Sequence, residues 1–285
     1  MGSIDFILNL AGLLLWLNWL SIRFDPLARP PAATLVGTLR KAGGARTQRW
    51  GFIAGLATLL LVRAFFYWAI GPSVAWSPNL GLVGDIKLYF PVSAAAFYLG
   101  LMALYSVLSF GKVLVQFYGW LVLLSFLGER GSEDDPFLRL ARAHLGPVAR
   151  WPWPVRLMLP LLGVASAWLA LGPLLTWLEL IPATASWPHR LEQAALIGVG
   201  AYLPWKYLIG GLLAFHILNS YVYLGRHPFL AFITTTSRSL LKPLRPIPLQ
   251  SRKVDFAPLV AVAIVFLIAE FAGAALTRLY GVLPL

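Results

Sequence analysis

The chain has 285 residues, of which 59% are hydrophobic and 12% are charged, and its mean hydropathy is +0.75. Soluble domains carry roughly 25% charged residues, so this composition excludes an ordinary soluble globular protein. The chain contains no cysteine, which excludes disulfides, thiolate catalysis and metal sites built on cysteine.

Apolar runs long enough to cross a bilayer follow one another along the chain. A spanning helix needs about 20 mostly apolar residues. The sequence predicts spans at 4–22, 51–71, 92–128, 157–180, 193–224 and 256–280. The first run is followed by Arg23 and not by a small-residue cleavage site, so we interpret it as a helix and not as a signal peptide. The third and fifth runs exceed one simple crossing, and we expect Pro204 to kink the fifth.

Most of the positive charge lies in three loops between these spans. Loops 23–50, 129–156 and 225–255 hold 17 of the 23 lysines and arginines. With six spans all three loops lie on one side, and the positive-inside rule makes that side cytoplasmic, with both termini outward. The sequence thus predicts an all-α integral membrane protein with a single membrane domain. Its three helical hairpins are repeats at 1–71, 92–180 and 193–280.

Each basic loop repeats one short pattern. An Asp-Pro or His-Pro pair begins it at 25, 135 and 227, and fifteen residues later comes Arg40, Arg150 or Lys242. A capping Asp followed by Pro favours a helix start, and the apolar positions predict an amphipathic helix lying in the membrane interface. Such a helix is either a short surface helix that only turns the chain or a platform that binds lipid head groups or a partner. We expect the bases to contact anionic lipid head groups, so the net charge of +12 predicts no nucleic-acid partner.

The third loop carries prolines and charges at fixed spacing: Pro228, Pro243, Arg245, Asp255 and Pro258. Over about residues 205–280 this pattern resembles the YggT family, also called YlmG, of small integral membrane proteins. The chain departs from the family at His227, where the family has Asn, and at Ala257, where it has Ser. The resemblance implies a bacterial inner-membrane protein that helps to assemble, stabilise or organise membrane complexes. Bacterial relatives are associated with tolerance of osmotic stress.

The same positions also have a structural interpretation. Asp255 precedes the sixth span and Pro258 lies in its first turn, which is typical of a capped helix start. The motif then sets the angle at which the chain re-enters the membrane. A ligand site is the alternative.

Few residues are suited to chemistry. No phosphate-binding glycine loop, metal-ligand spacing or serine-nucleophile elbow occurs, so we expect no enzyme activity, cofactor or metal. Charges inside spans are the better candidates because placing them there is costly. Arg63 and Glu270 fall at similar predicted depth, which predicts an ion pair or a shared polar cluster. The alternative is that each pairs elsewhere or snorkels.

The remaining polar groups in the spans have simpler interpretations. His216 and Asn219 lie on or near one helix face and are expected to make interhelical hydrogen bonds. Lys206 is expected to snorkel at the outer end of its span.

The sequence therefore predicts a scaffold, an assembly factor or a subunit of a membrane complex. Its expected partners are membrane lipids and either another membrane protein or further copies of itself. The alternative is a cation channel or transporter, which needs an aqueous path lined by Arg63, Glu270, His216 and Asn18.

Overall fold

A computed structural model describes residues 2–21, 45–74, 76–91, 93, 95–127, 136–182, 186–222, 228–244, 250–251 and 254–283. Within these residues six helical segments are long and apolar enough to cross a membrane. The predicted class, an all-α multi-pass membrane protein, is thereby confirmed. The hairpin repeats and the sidedness of the loops stay predictions.

The helices and strands are named in chain order. The helices are α1 (Gly2–Ser21), α2 (Ala45–Ile70), α3 (Ala96–Leu127), α4 (Pro136–Leu145), α5 (Trp153–Trp177), α6 (Trp187–Gly200), α7 (Trp205–Tyr221), α8 (Pro228–Leu240) and α9 (Ala257–Val282). Two short two-stranded sheets join them: β1 (Asn79–Val83) with β2 (Ile86–Tyr89), and β3 (Gln250–Ser251) with β4 (Val254–Asp255).

The fifth span is interrupted at the predicted proline. Residues 201–204 form a tight turn between α6 and α7. Pro204 has no N–H to donate. The turn is closed by hydrogen bonds between residues three apart, such as that from the Leu203 N–H to the Gly200 carbonyl at 3.1 Å. The helix is therefore interrupted where the kink was predicted, and the N–H groups of the turn are hydrogen-bonded.

The chain divides into two compact units. The first contains Met1–Leu80 and Leu88–Leu114, and the second contains Gly81–Lys87 and Val115–Leu285, so α3 contributes to both. In the first unit α1 packs along α2. The helices approach closely there, since a Cβ at Gly12 would lie 3.3 Å from the Leu56 side chain of α2 and 3.0 Å from the Phe110 ring of α3.

In the second unit α5 packs along α6, and α7 packs along α9. Glycine allows one of these close approaches, because a Cβ at Gly198 would lie 2.7 Å from the Leu161 carbonyl oxygen. The β1–β2 turn also packs on α9. Gly84 adopts φ +53° there, and a Cβ on it would lie 2.4 Å from the Thr277 hydroxyl. Backbone contact thus holds these elements together.

The amphipathic helices α4 and α8 bury their apolar faces against protein. Leu138 of α4 clusters with Leu212 of α7 and with Phe232 and Ile233 of α8. Further along α4, other apolar side chains pack against the end of α3: Ala141 and Leu145 on Leu121 and Val122. Neighbouring helices therefore cover part of these faces, and the position of α4 and α8 in the membrane interface stays a prediction.

Candidate functional site: two sets of charges in the spanning helices

The first set of charges centres on Arg63 of α2. Its side chain is only 1% exposed. One guanidinium nitrogen, Nη1, donates to Asn9 Oδ1 at 2.7 Å, while Nη2 donates to Asp5 Oδ1 at 2.6 Å. Nη2 also donates to the Ser109 hydroxyl at 2.9 Å. One side chain therefore ties together three helices of the first unit, α1, α2 and α3.

Two tyrosines complete this arrangement around the Asp5 carboxylate. The Tyr67 hydroxyl donates to Asp5 Oδ1 and the Tyr105 hydroxyl donates to Oδ2 at 3.1 Å. The two rings also flank the Arg63 guanidinium, with their centroids 5.5 and 5.4 Å from its carbon, a cation–π geometry. We call these residues the Arg63 cluster: Asp5, Asn9, Arg63, Tyr67, Tyr105 and Ser109.

The chemistry of the Arg63 cluster is suited to holding helices together. A buried charge is tolerated only when it is paired and hydrogen-bonded, and here the acid and the base satisfy each other. Arg63 Nε has no hydrogen-bond partner among the described residues. The Asp5 carboxylate already accepts three donors, so it is poorly placed to take up a cation. Across the described residues, no group of acidic and histidine side chains could hold a metal ion.

The second set of charges is an ion pair in the second unit, the Lys206–Glu270 pair. Lys206 Nζ lies 2.5 Å from Glu270 Oε1, joining α7 to α9. The lysine side chain is 14% exposed, whereas the glutamate is 72% exposed. The ammonium group also lies over the rings of Tyr207 and Phe266, at 5.3 and 5.8 Å from their centroids. Lys206 is thus paired with Glu270, and the prediction that its side chain snorkels stays a prediction.

The predicted pairing of Arg63 with Glu270 is replaced by two separate ion pairs. Arg63 pairs with Asp5 in the first unit, and Glu270 pairs with Lys206 in the second. Sequence reasoning kept pairing elsewhere as an alternative, but it did not consider Asp5. A usable signal existed: Asp5 and Asn9 are four residues apart at the start of an apolar run and so share one helix face.

The other polar candidates of the spans lie on α7. Asn219 Nδ2 donates to the Thr234 hydroxyl of α8 at 3.3 Å, which is an interhelical hydrogen bond. His216 Nδ1 is buried, and within the described part of the chain it has no hydrogen-bond partner. Among the described residues, neither His216 nor Asn219 is hydrogen-bonded to Lys206 or Glu270.

The residues of the family-like pattern lie at helix ends. The Asp255 carboxylate accepts a hydrogen bond from the Ala257 N–H at 2.9 Å, which satisfies a free donor of the first turn of α9. Pro258 is buried in that turn, and Pro228 is the first residue of α8. Pro243 lies in a short 3₁₀ segment after α8. These positions shape helix ends.

The bases predicted to bind lipid are only partly described. Arg150 and Lys242 are exposed, each in a 3₁₀ segment that follows an amphipathic helix. Arg40 and Arg245 lie outside the described residues. Comparisons with protein families, with curated proteins and with solved structures found no match to this chain. The resemblance to the YggT family therefore stays a prediction.

Proposed function

We propose that the protein is a non-enzymatic, multi-pass membrane protein that acts as a scaffold, an assembly factor or a subunit of a membrane complex. The Arg63 cluster is the observation that carries this proposal. Its charged groups are hydrogen-bonded to each other and to polar side chains of α1 and α3, so they hold α1, α2 and α3 together. Groups used in this way are not free to bind and transform a substrate.

Exposed apolar helix faces support the same proposal. Few residues of the α5 span are buried, and large side chains along it are exposed, among them Leu162 at 61% and Trp177 at 75%. In a membrane such faces contact lipid or the helices of a partner. A scaffold needs surfaces of this kind, and the chain offers several.

The exposed bases suggest how the protein is oriented. Arg150 and Lys242 are free to meet anionic head groups, which lie on the cytoplasmic leaflet. We therefore place the basic loops in the cytoplasm of a bacterium, with the protein in the inner membrane and both termini outward.

A cation channel or transporter is the second candidate, and one observation favours it. The Lys206–Glu270 pair lies directly after the interruption of the fifth span, and transporters often place ion sites at interrupted helices. Such sites use free backbone groups, however, and here the N–H groups of the turn are bonded, as is the Pro204 carbonyl, which accepts from the Tyr207 N–H. Cation flux into liposomes that is lost on Glu270→Gln would favour transport over scaffolding.

The test of scaffolding is purification of the tagged chain from native membranes in nanodiscs, followed by mass spectrometry of what remains bound. An unrelated six-span protein with the same tag, purified in parallel, controls for adventitious capture. We expect stoichiometric protein partners or further copies of the chain. A single copy that carries only lipid would contradict the proposal.

A further inference from the structure

One face of α9 combines a charge with apolar side chains. Glu270 is 72% exposed, and its neighbours Leu267, Ile268 and Phe271 are exposed as well. A carboxylate on the surface of a spanning helix is costly in lipid unless a partner compensates it. Lys206 contacts Oε1, while the rest of the carboxylate is open on the exposed face. This face therefore calls for a partner that brings a cation or a hydrogen-bond donor.

Small residues extend along the helix from the carboxylate. Ala263, Ala274 and Gly281 are exposed, and at helical spacing they fall on the same side of α9 as Glu270. A Cβ at Gly281 would meet no atom within 4 Å, so the space beside it is open. Small residues allow the backbones of two membrane helices to approach closely. We call these four residues the Glu270 strip.

We propose that the Glu270 strip is the interface with a second copy of this chain, in which Glu270 of each copy also contacts Lys206 of the other. The pair is self-complementary, because it places one acid beside one base, with Glu270 72% exposed and Lys206 14% exposed. A two-fold axis along the membrane normal keeps both pairs at the same depth, so four charges can alternate in sign around it. Lipid tails offer no donor to the open carboxylate.

This inference deepens the proposed function by naming the partner as a second copy. It can fail on its own, since a scaffold for other proteins would still retain those proteins on purification. Conversely, a dimer that retains no other protein would support the proposed interface, and the protein would then bind only further copies of itself.

Charge reversal tests the interface. Lys206→Glu places two carboxylates on one subunit, and Glu270→Lys places two cations on it. Like charges then face each other in a dimer, and we expect the dimer fraction in native mass spectrometry, at twice the chain mass of 31.4 kDa, to fall about tenfold or more. Joining both reversals in one chain should restore the dimer, because the alternation of sign returns.

Co-expression makes the test specific for contact between subunits. With different tags on the two single variants, each should capture the other while neither captures itself, because two cations then face two carboxylates. A pair of charges that acts only within one subunit would give no such capture. Thermal melting of each variant in detergent controls for folding, and any variant that does not melt cooperatively is replaced by Glu270→Gln.

Cysteine cross-linking tests the strip itself, and the chain has no native cysteine to interfere. A disulfide needs Cα atoms within about 7 Å, so oxidation of native membranes should cross-link Ala274→Cys into dimers. Leu162→Cys on the exposed face of α5 is the matched control and should stay monomeric. A monomeric wild-type protein, equal cross-linking at both positions, or a dimer indifferent to the single reversals would overturn the proposal. Lipid, another protein or another part of the chain would then cover the strip.

Discussion

The Arg63–Asp5 pair of the first unit and the Lys206–Glu270 pair of the second differ in how far their charges are exposed. In the first unit, the Arg63 side chain is 1% exposed and its guanidinium contacts groups from three helices. In the second unit, the Glu270 side chain is 72% exposed and, among the described residues, pairs with Lys206. Both are acid–base pairs in spanning helices, but the surroundings differ. An enclosed pair stabilises the fold, whereas an exposed pair leaves binding capacity for another molecule.

The packing of each unit explains this difference. In the second unit, glycines let elements approach closely: Gly198 of α6 packs against α5, and Gly84 of the β1–β2 turn packs against α9. The two helices that the ion pair joins, α7 and α9, also approach each other at Gly210, where a Cβ would lie 2.8 Å from the Phe266 ring. In the first unit α1 has few buried residues, and the Arg63 cluster supplies much of the specific contact that fixes it to α2 and α3.

The largest effect is expected from Arg63→Met. This substitution leaves the Asp5 carboxylate without its cation, and breaking a buried pair on one side costs about 3 kcal/mol of unfolding free energy. Thermal or denaturant unfolding in detergent measures the loss. The control is Arg278→Met, which removes the same side chain from an exposed position on α9 and should change stability little. Equal effects of the two substitutions would contradict a structural role for the cluster.

A smaller loss is expected from Gly84→Ala in the second unit. The added Cβ meets the Thr277 hydroxyl at 2.4 Å and the Gly273 carbonyl oxygen at 2.7 Å, and φ is +53°. Forced overlap of this kind costs about 1–3 kcal/mol. Gly211→Ala on α7 is the control, because its Cβ meets nothing within 4 Å. A Gly84→Ala protein as stable as this control would show that the turn does not rest on α9 as described.

Ser109→Ala tests one hydrogen-bonding group of the Arg63 cluster in the first unit. The hydroxyl accepts hydrogen bonds from Arg63 Nη2 and from Asn9 Nδ2. Its removal should cost about 1–2 kcal/mol, since a buried donor loses its partner. Unfolding in the same detergent as for Arg63→Met measures this loss, and Ser166→Ala on the exposed face of α5 serves as the control.

The smallest effect on the monomer is expected from Glu270→Gln. A polar contact between two spanning helices contributes about 0.6 kcal/mol on average, and the introduced glutamine can still accept a hydrogen bond from Lys206, so the unfolding free energy of the monomer should change little. The same variant should nevertheless weaken the dimer. A large loss of monomer stability would show that the Lys206–Glu270 pair is structural, and the contrast between the two units would disappear.

Hydropathy predicted the spanning helices and their approximate limits because burial in lipid depends on the length and composition of a run. It did not predict the partner of Arg63. Depth along a helix follows from residue spacing, whereas the direction in which a side chain points depends on how the helices pack. Arg63 and Glu270 were predicted at similar depth but have different neighbours, and Asp5 was overlooked at the edge of its span.

The amphipathic helices show a second limit of the sequence. The apolar stripe of α4 is visible in the pattern, and α4 forms where it was predicted. Periodicity indicates that one face of a helix is covered, but not what covers it. Leu138 packs against Leu212 and Phe232 of neighbouring helices. From the sequence alone, contact with a membrane interface explains the same apolar face equally well.

The most direct measurement compares double-mutant cycles on the two ion pairs, by unfolding of the monomer in one detergent. The first cycle combines Asp5→Asn with Arg63→Met, and the second combines Glu270→Gln with Lys206→Met. We predict a coupling energy above about 1.5 kcal/mol for the first pair and a smaller one, about 0.6 kcal/mol, for the second. Equal coupling in both pairs, or stronger coupling between Lys206 and Glu270, would contradict the account.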